Sequence, residues 1–336
     1  MAAREAPDHA ARRSRRGVLA MLTTVLTAAA TCAEAAGQPA RIGLLTVEAE
    51  PPNSPFMEAL RRGLAEFGYA ERRDYIIEPR AADDAPARVP ALARELAALP
   101  VDLIVARGGA AFAIRNLGLP VPTVYAVSAD PVSAGFAESL ARPGGNMTGL
   151  TFMAFEFAGK RLELLRDLVP GVRRVAIIGN PEHSGTHLER AFSEETAAKL
   201  GMALTFLPTS TAAEFDLALA GLDRDPPQAL SVLADAFASR HRHTIMAFAM
   251  RQNIPVISGW PVYAEAGALC TYGPRLSESY RRLAHYVVRV LKGAKPSDLP
   301  IERPTNFELV INLRTAKTLG LEISAAMAAR ADDLIE

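Results

Sequence analysis

Short apolar runs rich in β-branched residues alternate along this chain with longer segments whose apolar residues recur at helical spacing. Residues 41–47, 75–79, 101–106 and 122–127 read as one series of strands, and 174–178, 202–207, 229–233 and 255–258 as a second. Strands that are apolar throughout, separated by helix-length spacers, predict parallel sheets with crossover helices. The same offset separates Arg41 from Pro122 and Arg174 from Pro255, so two similar α/β units in tandem are expected. Within the first unit, Asn53, Ser54 and Pro55 supply cap residues and an early proline, and Gly68 follows the last turn. Phe56, Leu60, Leu64 and Phe67 then share the helix face expected to cover the sheet.

The densest turn cluster, RPGGNMTG at 142–149, is the natural crossover between the units. The last third departs from a plain tandem. A long helix carries Tyr280, Leu283, Ala284, Val287, Val288 and Leu291 at helical spacing, a KPSDLP linker follows at 295–300, and 307–311 reads as a further strand. The simplest account has the chain recross, giving a first lobe of residues 41–148 plus about 272–302 and a second of 149–271 plus about 303–336. Several crossovers between two lobes make a hinge.

The amino terminus reads as an export signal. Arg12, Arg13, Arg15 and Arg16 precede an apolar stretch at 18–30, and Ala33-Glu34-Ala35 forms a small-residue cleavage site, so residues 1–36 are expected to be removed, with cleavage after Ala35. The SRRGVL segment at 14–19 is of twin-arginine type. The apolar stretch is shorter than the roughly 20 residues needed to span a bilayer, and Cys32 lacks the surroundings of a lipid-attachment site. A soluble periplasmic product is expected. With Cys32 removed, Cys270 has no partner for an internal disulfide, so the fold must rest on its cores.

Composition narrows the function class. Lys plus Arg is 37 and Asp plus Glu is 37, so no net field attracts nucleic acid or an anionic bilayer. A length of 336 residues with 49% hydrophobic content suits two domain-sized cores. No glycine-rich dinucleotide fingerprint, P-loop or nucleophile elbow occurs. His183 with His187, and His241 with His243, lack accompanying cysteines or carboxylates, so they read as solvated rather than metal-ligating, and no metal or cofactor is expected.

Open α/β sheets bind ligands at the carboxyl ends of their strands. There, Gly108, Gly109 and Ala110 present backbone N–H groups at a helix start, which either bind a carboxylate or only make a tight turn. Ser128 and Asp130 end one strand and Asp235 another; each acid either receives a ligand ammonium or caps the next helix. Asn180 and Thr46 hold matching places after the first strands of the two units. Trp260 and Tyr263 either line an apolar pocket or pack inside a lobe, and Tyr272 either reaches the cleft or ties down a crossover.

Four stretches, RPGGNMTG at 142–149, KRLELL at 160–165, YGP at 272–274 and PTNFELVINL at 304–313, strongly resemble the ABC transporter substrate-binding proteins of the tryptophan or aromatic-amino-acid type, over about residues 40–336. The resemblance implies a type I periplasmic binding protein: two Rossmann-like lobes, three crossover segments, and a monomer that closes on a small solute and delivers it to a membrane permease with its ATPase. It also implies that Gly109 and Ala110 hold a carboxylate, Asp235 an ammonium, and the Trp260–Tyr263 region a side chain. Three positions depart from the family pattern: Arg107 before the glycines, Ala129 before Asp130, and Ala236 after Asp235. Arg107 either adds a cation that favours a second acidic group or points to solvent. Two other classes remain open, a sensor of the same fold coupled to signalling and an α/β enzyme acting on a small metabolite.

Overall fold

Alternate residues of each strand face opposite layers of helices, and this places the strands. In the first sheet Ile42, Leu44, Leu103, Val105, Val124 and Ala126 enter one core, while Leu45, Ile104, Ala106, Tyr125 and Val127 enter another. The computed structural model describes Met1 and residues 38–336, apart from Asp84 and Ser184; the expected signal segment and its cleavage position lie outside the described residues. Residues Ala40–Glu336 form one packed unit.

The first sheet holds β1 (Ala40–Thr46), β2 (Tyr75–Ala81), β3 (Leu103–Arg107), β4 (Thr123–Val127) and β5 (Met147–Thr151) in the order β2-β1-β3-β4-β5, all parallel. The second holds β6 (Arg174–Gly179), β7 (Ala203–Pro208), β8 (Ala229–Val232), β9 (Val256–Ser258), β10 (Cys270–Pro274), β11 (Phe307–Asn312) and β12 (Asp333–Ile335) in the order β12-β11-β10-β9-β8-β6-β7. Within it, β11 runs antiparallel to β10, and β12 parallel to β11. The two-lobed α/β architecture is therefore present, with a mixed rather than purely parallel second sheet. Cys270 opens β10 fully buried, and burial pushes its thiol up, away from any nucleophilic form.

The late helix Leu276–Leu291 completes the first lobe. It packs on the helix Pro55–Glu66, where Ser54 Oγ accepts from the Met57 N–H at 3.1 Å and Pro55 occupies the first turn. Gly63 permits the approach: a Cβ there would lie 2.4 Å from the Arg281 carbonyl oxygen and 2.7 Å from Ala284 Cβ. Phe67, expected on the buried face, instead follows the last helical residue and is 43% exposed, since the chain turns at Gly68 with φ +82°.

Two expected breaks fall inside strands. The boundary at 148/149 lies in β5, so the chain leaves the first sheet after Thr151, and the return placed at about 272 lies in β10, so it comes back after Pro274. The turn chemistry of 142–149 concealed β5. Asn146 Nδ2 donates to the carbonyls of Leu119 and Val121, at 2.6 and 3.1 Å, and Thr148 Oγ1 donates to Leu299 O at 2.7 Å. A third passage runs through 300–306, where Glu302 bridges to Leu150.

Gly149 is required by close approach, not by a turn. Its φ is +146°, and a Cβ would lie 2.0 Å from the carbonyl oxygen of its cross-strand partner Tyr125. Gly149→Ala is expected to destabilise the protein by about 3 kcal/mol or more, from backbone strain and from displacement of β5. A urea melt checks this, and an unchanged midpoint would contradict the account.

Candidate functional site

A cleft of about 330 Å³ lies where the carboxyl ends of both sheets converge. The first lobe contributes Glu48 after β1, Arg107 to Gly109 after β3, Ser128 after β4 and Phe152 after β5. The second contributes His183 after β6, Ala234 and Asp235 after β8, Trp260 and Val262 after β9, and Ser239, Arg240 and Arg242 from the helices following Asp235. Leu276 and Tyr280 of the returning helix close one side. Most of the lining surface is apolar, although eight of the seventeen described lining residues are polar or charged, a make-up suited to a small polar solute.

Asp235 is 4% exposed and does two things at once. Its Oδ1 accepts from the Ala238 N–H at 3.0 Å, capping the helix Ala236–Arg240, while Oδ2 is buried without a hydrogen bond from a described residue. Burial holds its carboxyl above the usual range, an effect partly offset by the backbone N–H groups of Ala238, Phe237 and Asn180. An unsatisfied buried carboxylate oxygen on a cleft wall is where a donor or cation gains most.

Among the described residues, two side-chain contacts join the lobes across the cleft. Phe152 and Trp260 meet edge to face, with centroids 5.7 Å apart. Ser128 Oγ lies 3.0 Å from His183 Nε2, while His183 Nδ1 accepts from the Gly185 N–H at 3.2 Å. With Nδ1 accepting, the proton of the neutral ring sits on Nε2 and is donated to Ser128. Burial lowers the imidazole pKa to about 4.

Arg107 neither stands as an unmatched cation nor points to solvent. Its guanidinium pairs with Glu50, whose side chain is 5% exposed, and lies over the rings of Phe56 and Tyr280 at 4.8 and 5.4 Å from their centroids. Glu48 adds a second carboxylate to the same wall.

Of the residues expected at the site, Gly108, Gly109, Ser128, Asp235 and Trp260 line the cleft. Gly108 spends its N–H on Ala126 O at 2.9 Å, leaving Gly109 and Ala110 as the first N–H groups of the helix Gly109–Leu117; the Ala110 side chain is in the core. The other five lie off the cleft. Thr46 Oγ1 donates to Glu48 O at 2.7 Å, holding the β1 loop. Asp130 accepts from the Val132 N–H and Ser133 Oγ, and Asn180 Oδ1 from the Glu182 N–H, so both are occupied by their own turns. Tyr263 is fully buried behind the wall, where burial and then the Asp235 charge push its phenol far up. Tyr272 meets Phe157 edge to face and lies tilted beside Phe307 at a crossover, and it faces a separate groove with Lys160 and Arg275.

Sequence reasoning missed Glu48, Phe152, His183, Ser239, Arg240, Arg242 and Tyr280. Glu48 and His183 stood at strand ends and could have been found there. His183 is half-buried and hydrogen-bonded, not solvated as expected. Tyr280 read only as part of a helix stripe and Phe152 carried no signal; both enter the first-lobe core as well as the cleft.

Comparison with known proteins identifies the family of the chain and relatives of its fold. The family model for ABC transporter substrate binding proteins matches residues 47–335. The tyrosine-binding protein of Clostridioides difficile (strain R20291) is 23% identical over 283 residues, 84% of this chain and 81% of that protein. A conserved domain protein from Vibrio cholerae is 25% identical with a TM-score of 0.81, covering 88% of this chain and 99% of that one. The ABC domain from Streptococcus pneumonia in complex with L-Trp is 23% identical with a TM-score of 0.81, covering 88% of this chain and 100% of that one.

The buried imidazole sets a pH dependence. The unfolded chain takes up a proton on His183 near pH 6.5, whereas the folded protein does so only near pH 4. Stability from this group is therefore complete above about pH 6.5 and lost as the pH falls towards about 4, by up to about 3 kcal/mol. Urea midpoints between pH 7 and 4.5 should fall less steeply for His183→Gln than for the unmodified protein. Equal slopes would mean that His183 titrates as a solvent-exposed group.

Proposed function

The chain belongs to the ABC transporter substrate-binding protein family, and on that premise we propose that it is the exported receptor of an importer. It closes on a small amino-acid-like or carboxylate solute between its lobes and delivers it to a permease and ATPase in the membrane. The single observation that carries the ligand reading is Asp235 Oδ2, a buried carboxylate oxygen on the cleft wall with no hydrogen bond from a described residue.

In this reading the ligand ammonium pairs with Asp235, and its carboxylate meets the N–H groups of Gly109 and Ala110, favoured by the helix start. The side chain lies among Phe152, Trp260 and Tyr280. Glu50 already neutralises Arg107, so Arg107 itself offers no unmatched charge to a second acidic group. Contacts from both lobes favour closure only to the extent that the ligand binds the closed form more tightly than the open one. No bond is made or broken, and the protein works as a monomer without metal or cofactor. The relatives named for tyrosine and L-Trp support an aromatic side chain.

The test is a thermal-melt panel on the chain lacking residues 1–36, covering L-tyrosine, L-tryptophan, branched and acidic amino acids and simple carboxylates. At one hundred times its dissociation constant a ligand adds about 2.7 kcal/mol, a shift of several degrees. A panel without any shift would remove the amino-acid reading. Asp235→Asn keeps an acceptor for the Ala238 N–H but loses the charge, so it should weaken binding of an amino-containing ligand by about 2–4 kcal/mol in a protein that still folds. An unchanged dissociation constant would leave Asp235 as a helix cap alone.

A further inference from the structure

The KRLELL stretch takes no direct part in the cleft, yet it carries an arginine with almost no access to water. Arg161, on the helix Ala158–Leu168, is 1% exposed, and its partner Glu189, on the helix Thr186–Leu200, is 2% exposed. Arg161 Nη2 donates to Glu189 Oε2 at 3.0 Å. The same oxygen accepts from the backbone N–H of Ala234 at 3.3 Å, one residue before Asp235. Arg161 Nη1 approaches the Ala154 carbonyl at 3.5 Å, in the first passage between lobes. It also lies 3.0 Å from where a Cβ on Gly259 would sit, one residue before Trp260. On its other side Gly259 is held by β10, since its carbonyl oxygen would lie 2.0 Å from a Cβ on Gly273.

One ion pair thus touches three segments: the loop of Asp235, the loop of Trp260, and the crossover at Ala154. Stability alone does not call for it, because apolar side chains of similar volume serve a buried site as well or better than a desolvated pair. What apolar side chains cannot supply is an acceptor for the Ala234 N–H and a planar donor wedged against Gly259. We propose that Arg161 and Glu189 are positioning residues of the cleft, holding the Asp235 and Trp260 loops in fixed relation to each other and to the crossover, so that the charged and aromatic parts of the second wall move as one body. The Arg161 charge also offsets that of Glu189, whose buried carboxylate otherwise repels that of Asp235. The ligand arm of the test rests on the receptor reading above; the fluorescence arm does not.

Removing one partner strands a buried charge and threatens the fold, so the test uses two double variants. Arg161→Met with Glu189→Leu removes the pair and the acceptor for Ala234. Arg161→Met with Glu189→Gln removes the pair but keeps a side-chain oxygen for that N–H. Trp260 is the chain's sole tryptophan and reports its own loop. In the Met/Leu protein its emission should move to longer wavelength and its quenching by acrylamide should rise, while urea unfolding stays cooperative. L-tyrosine affinity, by calorimetry, should fall at least tenfold in Met/Leu and by less in Met/Gln. Arg161→Lys, which keeps the charge but loses the planar reach to Ala154 and Gly259, should show a smaller emission change and serves if the double variants do not fold. Unchanged Trp260 emission and quenching in folded Met/Leu or Lys protein overturns the proposal. If the unmodified protein does not bind L-tyrosine, that ligand assignment fails while the emission arm still decides the positioning role.

Discussion

The approach of the helix Leu276–Leu291 to the helix Pro55–Glu66 at Gly63 is the constraint on which the rest depends. One outer face of the first sheet is covered only in part, by Phe56, Leu60 and Leu64 of the helix Pro55–Glu66, until the chain, having built most of the second sheet, returns with Leu283, Ala284 and Val287 to complete that core. The first lobe therefore cannot close by itself. Three passages between the lobes follow from this detour, and three parallel passages leave the lobes a hinge rather than a free linker. The contacts involved are far apart in sequence, so their loop-closure cost falls on the completion of the first lobe.

With that hinge in place, the carboxyl ends of both sheets face one cleft, and the division of labour across it is uneven. The first lobe presents helix-start N–H groups and an arginine whose charge is already answered by Glu50. The second presents an unsatisfied carboxylate oxygen in Asp235 and the ring of Trp260, and behind them lies an ion pair, Arg161 with Glu189, that reaches the backbone beside both. Phe152 with Trp260 and Ser128 with His183 join the lobes directly at the cleft. A solute entering there meets groups that already bridge the two bodies whose relative position it would set.

Much of the fold was legible as period. Nine of the strands followed from apolar runs, and the helix start at Ser54 and Pro55 followed from cap chemistry. The three that escaped had physical reasons to do so. Met147–Thr151 begins inside a turn-rich stretch, and its Gly149 serves close approach to Tyr125, which cannot be told from a turn glycine by composition. Cys270–Pro274 contains Gly273, pressed against Gly259, and ends in proline, while Asp333–Ile335 is too short to show a period.

At the site, sequence by itself determined where to look: the carboxyl ends of strands, with glycines opening a helix after β3 and an acid after β8, because strand and helix periods are local properties of the chain. It also determined the family, through motifs long enough to be specific. Tertiary structure alone decided which acids are spent. Asp130 and Asp235 each follow an alanine just beyond a strand's carboxyl end, yet Asp130 gives both oxygens to its own turn, while Asp235 is buried with one oxygen left over. It likewise turned Arg107 from an unmatched cation into one paired with Glu50, and His183 from a solvated loop residue into a contact between lobes. Those outcomes depend on distances between residues from remote parts of the chain, and a hydrogen bond or an ion pair is decided by such distances, not by the order in which its partners are written.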